Sequence, residues 1–260
     1  MVVGLLTAAF LFFVGSVLGW GIEVLFRRIF TAKKWINPGF LTGPYLPLYG
    51  FGLAGLYGIA QIPIKTGSAA GDAAVTVLVM AAAMIIIEYI AGLIFIRGMK
   101  IKLWDYSDRW GNIQGIICPL FSLLWLAVSA FYYFVIDPFV IDAVAWFVNN
   151  IAFAFVVGLF FGILFVDLGH SVNLTAKIRR FAAEHDTVVS FEKLKESIKD
   201  RIERKGKKKA SFMFPFHSTR GMDDDLEDYR RANAADGTSE AENDDATDGR
   251  DSSAGKKRSE

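Results

Sequence analysis

The chain has 260 residues, of which 53% are hydrophobic and 14% aromatic, and its 28 Lys and Arg nearly balance its 27 Asp and Glu. Soluble domains carry less apolar material and do not gather it into long runs, so the composition excludes an ordinary soluble protein. The net charge of +1 hides a basic stretch ending near Lys209 and an acidic one beginning at Asp223, so it says nothing about partners.

Val2 to Phe26 is the first apolar run. No Lys or Arg precedes it, and it is longer than the apolar part of a secretory signal, so it reads as a retained membrane span. Gly15 and Gly19 stand at a GxxxG spacing, which lets a second helix approach closely. Arg27, Arg28, Lys33 and Lys34 follow. A Gly- and Pro-rich turn holding Trp35 and Asn37 comes next, and Pro44 is expected to open a second span, Pro44 to Ile62, because proline at a first helical position loses no hydrogen bond. A third span runs from Ala73 to Ile96 and contains Glu88. The loop from Arg97 to Gly115 is polar and aromatic, with Trp104, Asp105, Tyr106, Ser107, Asp108, Arg109, Trp110 and Asn112. A fourth span runs from Ile116 to Ile136. Asp137, Pro138 and Asp142 mark a loop, and a fifth span, Ala143 to Leu168, ends in Asp167 and His170, with Gly158 and Gly162 again at GxxxG spacing.

Positive charge follows spans one, three and five, and the alternate loops contain only Lys65. Basic loops stay in the cytoplasm, so five spans place the N-terminus outside and the C-terminus inside. The fold class is therefore all-α and polytopic, with a transmembrane domain over 1–170. Over 171–210 a cytoplasmic unit follows. There Phe191, Leu194, Ile198 and Ile202 recur at helical spacing with Glu192, Lys193, Lys195 and Glu196 between them. This basic amphipathic helix suits either an anionic membrane surface or packing on its own protein or a partner. Residues 211–260 form an acidic tail expected to be disordered: Phe212, Phe214 and Phe216 at its start could enter a membrane interface, and from Met222 to Glu260 it is almost without large apolar residues.

Aligning Trp35 with Trp110 superposes Asn37 on Asn112 and Pro44 on Pro119, with Glu23 and Glu88 each in the preceding span. The coincidence suggests a parallel two-span repeat, with an insertion over roughly Met99 to Asp108; chance agreement in apolar sequence is the competing account.

Chemistry is sparse. Glu88 lies about 22 Å along its span at 1.5 Å per residue, and its helical neighbours Met84, Ile85, Ala91 and Gly92 offer no countercharge. A charge there costs several kcal/mol (order of magnitude) unless paired, protonated or hydrated, so Glu88 is either a substrate or proton site or an interhelical hydrogen-bonding group. Glu23 has Arg27 four residues on, the favourable order for an ion pair. Asp167 and His170 lie three apart on one helix face, too few ligands for a metal. The single cysteine, Cys118, excludes an intramolecular disulfide and a Cys-rich metal site. No phosphate-binding GxxxxGK[ST] loop, HExxH or GxSxG motif occurs, so neither a cofactor nor an enzymatic activity is expected. Tethering to the membrane argues against nucleic acid as partner of the basic run.

Taken together, GWGIEVLFRR, WINPGFLTGPYLPLYGFG, IIIEYIAG and LWDYSDRWGNIQGIICPLFSLLW resemble the CmpB-like family of bacterial membrane proteins, described as putative ABC-transporter permeases. The resemblance covers about Phe12 to Phe139 and marks Glu23, Asn37, Gly39, Gly43, Pro44, Glu88, Trp104, Asp105, Tyr106 and Ser107. It implies a permease-like subunit in a bacterial cell membrane, a separate ATP-binding subunit docking on the cytoplasmic loops, and, with so few spans, a homo-oligomer or a second membrane subunit. Trp35, Asn37, Pro44, Trp104, Asp105, Tyr106, Ser107, Arg109, Trp110 and Asn112 are the docking candidates; Glu88, Glu23, Asp167 and His170 are the pathway candidates. The competing function is a membrane scaffold or envelope factor that recruits partners through its helix and tail.

Overall fold

The computed structural model describes residues 2–31, 35, 37–185, 188–204 and 225–231. Helix α1 spans Val2–Phe26 and continues as a π-turn, Arg27–Thr31. Helix α2 is Pro47–Ala60, and α3 is Ala69–Leu93 with a π-turn at Ile94–Gly98. A short strand, β1 (Ile101–Lys102), leads into an irregular loop. Helix α4 (Pro119–Phe131), a π-turn (Tyr132–Ile136) and α5 (Asp137–Asn149) form one continuous rod. Helix α6 covers Ala154–Glu184, strand β2 is Val189–Ser190, and α7 is Phe191–Arg204.

Four stretches among the described residues are long and apolar enough to cross a membrane: Val2–Ile29, Ala69–Gly98, Pro119–Asn149 and Ile151–Glu184. The all-α polytopic class holds, and the differences lie in where helices begin. Helix α2 has 14 residues, about 21 Å, so it is shorter than the expected second span. Pro44 does not open it; Pro47 does. Residues 37–46 instead run back along α1 as irregular backbone, and the Leu46 N–H donates to the Ser16 carbonyl 2.9 Å away. Irregular backbone is tolerated at such depth only where protein satisfies its polar groups.

The loop expected at Asp137–Asp142 is helix. Pro138 lacks the N–H that would bond four residues back, and the π-turn just before it absorbs the misfit by widening the helix. The Tyr132 hydroxyl donates to the Asp137 carboxylate at 3.1 Å, so that acid needs no loop around it. The chain reverses later, at Asn150, whose φ of −122° and ψ of 52° leave helical space. Helix α6 then runs unbroken past the point where the sequence turns from apolar to polar.

The core lies between α1, α2, α3, α5 and α6. Phe10 of α1 stacks on Phe147 of α5 with ring centroids 4.5 Å apart, and Met80 and Met84 of α3 are buried beside Leu56 of α2. Large exposed side chains, such as Leu123 and Phe134 on the α4–α5 rod and Phe155, Phe165 and Val166 on α6, form the outer surface, as expected of helices facing lipid tails.

A second core lies beyond the bundle. Phe191, Leu194 and Ile198 of α7 are buried against Ile101, Ile178, Phe181 and Val189. The amphipathic helix therefore covers its apolar face with its own protein rather than with a membrane surface; Ile202 lies among residues whose side chains are not described. Within the stretch expected to be a disordered tail, residues 225–231 are helical, and Leu226 and Tyr229 are buried in this same cluster. Their side chains are the exception in the polar stretch that follows Met222, and burying them orders this turn. The rest of 211–260 lies outside the described residues.

Candidate functional site

The acids of α1 and α3 meet polar aromatic side chains inside the bundle. Glu88 is 5% exposed. Its carboxylate accepts the Trp125 indole N–H of α4 at 2.7 Å and the Tyr106 hydroxyl at 3.3 Å. Both donors are neutral. Glu23 accepts the Arg27 guanidinium at 2.8 Å and the Tyr49 hydroxyl of α2 at 2.7 Å. Each acid thus sits on one helix of a hairpin and takes an aromatic donor from the other. The two pairs are neighbours: Tyr106, bonded to Glu88, lies within electrostatic range of Glu23 as well. Burial first, and then Glu88, pushes the Tyr106 phenol above its ordinary range.

Tyr106 reaches Glu88 from the 101–118 loop, which closes over it. The Trp104 indole donates to the Ile116 carbonyl at 2.9 Å, and the Tyr106 N–H donates to Gly115 O at 2.9 Å. The Asn112 amide donates to the carbonyls of Ser107 and Arg109 and accepts the Gly115 N–H. Gly115 has a φ of +67°, and a Cβ there would meet Ser107 Oγ at 2.5 Å, so both geometry and space require glycine. The Tyr106 ring stacks on Phe121, 4.3 Å between centroids. Asp105 takes Lys102 Nζ at 2.8 Å together with the N–H and hydroxyl of Ser107. Burial raises its pKa, but these hydrogen bonds outweigh it and hold the carboxyl below its ordinary value. Arg109 and Trp110 point away from this interior, and Trp110 is 88% exposed.

Asp167 belongs to a different cluster. It receives the backbone N–H of Thr42 and of Gly43, the Tyr45 hydroxyl at 2.7 Å and the Ser171 hydroxyl at 3.2 Å. It therefore anchors the 37–46 turn. His170 is exposed on the outer surface and does not join Asp167. Asn37 is buried at the other end of the turn. It accepts the Trp20 indole at 2.7 Å and donates to the carbonyls of Leu41 and Thr42. Gly39 has a φ of +75°. Pro44 lies within this turn, and Trp35 is half exposed beneath the Arg28 guanidinium.

Of the residues singled out by sequence, the structure joins Glu23, Glu88 and Tyr106 in one interior and Trp104, Asp105, Ser107 and Asn112 in the loop above it. The partners Tyr49, Trp125, Tyr45, Trp20 and Lys195 were missed. An aromatic side chain with an O–H or N–H inside an apolar helix, opposite a lone acid, was the available signal for Tyr49 and Trp125. Among the described residues no group of three or more His, Cys, Asp or Glu is placed to hold a metal ion.

The model of a family described as putative ABC-transporter type IV matches residues 10–172, the helical bundle with its loops. No curated protein and no solved structure matches the chain.

Proposed function

The chain belongs to the family described as putative ABC-transporter type IV, and on that premise we propose that it is the permease-like membrane subunit of a transport system. The chain sits in a bacterial cell membrane, with its N-terminus outside and its basic end and C-terminus in the cytoplasm, the orientation that its positive charges favour. The Glu88 interior is its pathway element. The observation that carries this reading is a buried carboxylate held by neutral donors only, inside a bundle matched by that family. Intramembrane acids are costly and mark pathways more often than surfaces. A separate ATP-binding subunit docks at the basic end, where Trp110 stands almost fully exposed beside Arg109; exposed Trp and Arg are the residue types that anchor interfaces.

The test is isolation of the full chain from its native membrane in mild detergent, followed by ATP-hydrolysis assays. An ATP-hydrolysing subunit should co-isolate, Trp110→Ala should weaken its retention, and Glu88→Gln should change turnover while assembly persists. A chain that isolates without any ATPase overturns the reading, as does a Glu88→Gln complex hydrolysing ATP at the unaltered rate.

The ordered cluster formed by α7 and 225–231 favours a second reading, a scaffold that recruits partners through this unit. Deleting 186–260 would then abolish the cellular phenotype, whereas a permease keeps its activity in the bundle.

A further inference from the structure

The segment after α6 is tied back onto the loop that brings Tyr106 to Glu88 and onto the 37–46 turn, which lines a cleft with Arg27, the partner of Glu23. Strand β2 pairs in parallel with β1, Ile101 opposite Val189, and the Val189 N–H donates to Lys100 O at 3.1 Å. Strand β1 leads directly into the 101–118 loop that brings Tyr106 onto Glu88. From α7, Lys195 is 5% exposed, and its ammonium donates to the carbonyls of Asn37 at 2.8 Å and Gly39 at 2.5 Å while lying over the Phe191 ring. Lys199 reaches the Trp35 carbonyl at 3.1 Å. The 37–46 turn is thus held by α7 at its first residues and by Asp167 at Thr42 and Gly43. Leu103 from the loop, Pro38 and Gly39 from the turn, and Phe191 and Lys195 from α7 line one narrow cleft with Arg27.

These ties have the character of a releasable latch. A two-residue strand pair has little stability of its own. A 14-residue helix is marginal alone in water, so α7 depends on its docking. An ammonium that leaves two carbonyls regains water, which offsets part of the hydrogen bonding lost.

We propose that β2 and α7 form a strap that holds the 101–118 loop and the 37–46 turn closed over the Glu23–Glu88 interior, and that release of α7 opens this interior to water from the basic end. The strap regulates the site assigned above, and it takes from the permease reading only the importance of that site. Events at the C-terminal unit are thereby converted into access to Glu88.

Cys118, the chain's single cysteine, reports on the closed state. It is 2% exposed, and it precedes the first residue of α4 at the end of the loop that carries Tyr106. The experiment is the rate of maleimide labelling of Cys118 in the full chain in detergent. The unaltered chain should label slowly. Lys195→Met should label on the order of tenfold faster, the effect of losing charge-assisted hydrogen bonds, and Lys195→Arg should restore slow labelling. Val189→Pro, which removes the N–H donated to Lys100, should accelerate labelling independently. Unaltered rates in both Lys195→Met and Val189→Pro overturn the strap. If Lys195→Met labels as fast as the denatured chain, Val189→Pro alone decides: faster labelling supports the strap and an unaltered rate overturns it. Labelling reads the strap whether or not Glu88 serves transport, so failure of one idea leaves the other standing.

Discussion

The carboxylate of Asp167, on the sixth helix, accepts the backbone N–H of Gly43 at 2.8 Å across 124 positions of sequence. The same group takes the Thr42 N–H, so one acid satisfies two donors of a turn that has no helix or strand to satisfy them. Asp167→Ala strands both N–H groups and should lower stability by about 3 kcal/mol, since each unmade buried bond costs about 1–3 kcal/mol. Thermal unfolding in detergent measures this. His170→Ala, three residues on at the exposed surface, should change stability by less than about 0.5 kcal/mol. Equal losses in the two variants would refute the division of roles.

Glu88 separates charge from shape. Glu88→Gln keeps an acceptor for the Trp125 indole and should stay within about 1 kcal/mol of the unaltered chain, because the weaker neutral bond is offset by removing a buried charge. Glu88→Ala leaves the indole unpaired and opens space beside Trp125 and Tyr106, and should cost about 2–4 kcal/mol. Any functional loss in Glu88→Gln then reflects the missing charge rather than a damaged fold. Fluorescence of the protein's Trp residues provides a second readout, because Trp125 loses its partner only in the Ala variant.

The helical bundle was legible because an apolar run of span length is rarely anything but a membrane helix; α1 ends where its run ends, at Phe26. The turn at Asn150 was not, because Asp137 and Pro138 look like a loop in one dimension. Only the π-turn before Pro138 and the Tyr132 hydroxyl on Asp137 show why the helix survives. Pro44 misled in a similar way. A proline is compatible with a helix start, but Asp167 and the Ser16 carbonyl, both distant in sequence, hold Thr42 to Leu46 out of the helix. The pairing of Glu23 with Arg27 was readable from a spacing of four, whereas the partners of Glu88 come from a loop and another helix at no fixed spacing. For α7 the periodicity exposed an apolar face but not what covers it, which only the positions of Ile101 and Ile178 decide.

The Asp105 carboxyl is held below its ordinary value by Lys102 and Ser107. A carboxyl depressed in the folded state contributes stability above its unfolded value, about pH 3.9, and that contribution is lost as pH falls through the folded value. The 101–118 loop should therefore stay closed down to about pH 4 and loosen below it. Fluorescence of Trp104 and Trp110 against pH follows this transition. Asp105→Asn should remove the acid transition below about pH 4 while loosening the loop slightly at neutral pH. An unchanged acid transition in that variant would assign it to another group.

The two GxxxG spacings have opposite surroundings. A Cβ on Gly19 would collide with the Tyr49 side chain, and one on Gly15 would meet Leu53 Cβ and the Tyr49 carbonyl at 2.8 Å. Tyr49 carries the hydroxyl that reaches Glu23, so close contact of α1 with α2 also sets the polar interior. Gly19→Ala should cost about 1–3 kcal/mol through overpacking and displace that hydroxyl. Gly158 and Gly162 on α6 have nothing within 4 Å of the corresponding position. In a monomer, Gly162→Ala should be neutral or stabilising by up to about 1 kcal/mol, the gain in helix propensity. If the expected homo-oligomer uses this face, the same substitution should shift the size of the detergent-solubilised protein toward the monomer, read by light scattering. An unchanged size with raised stability would place the oligomer contact elsewhere on the bundle.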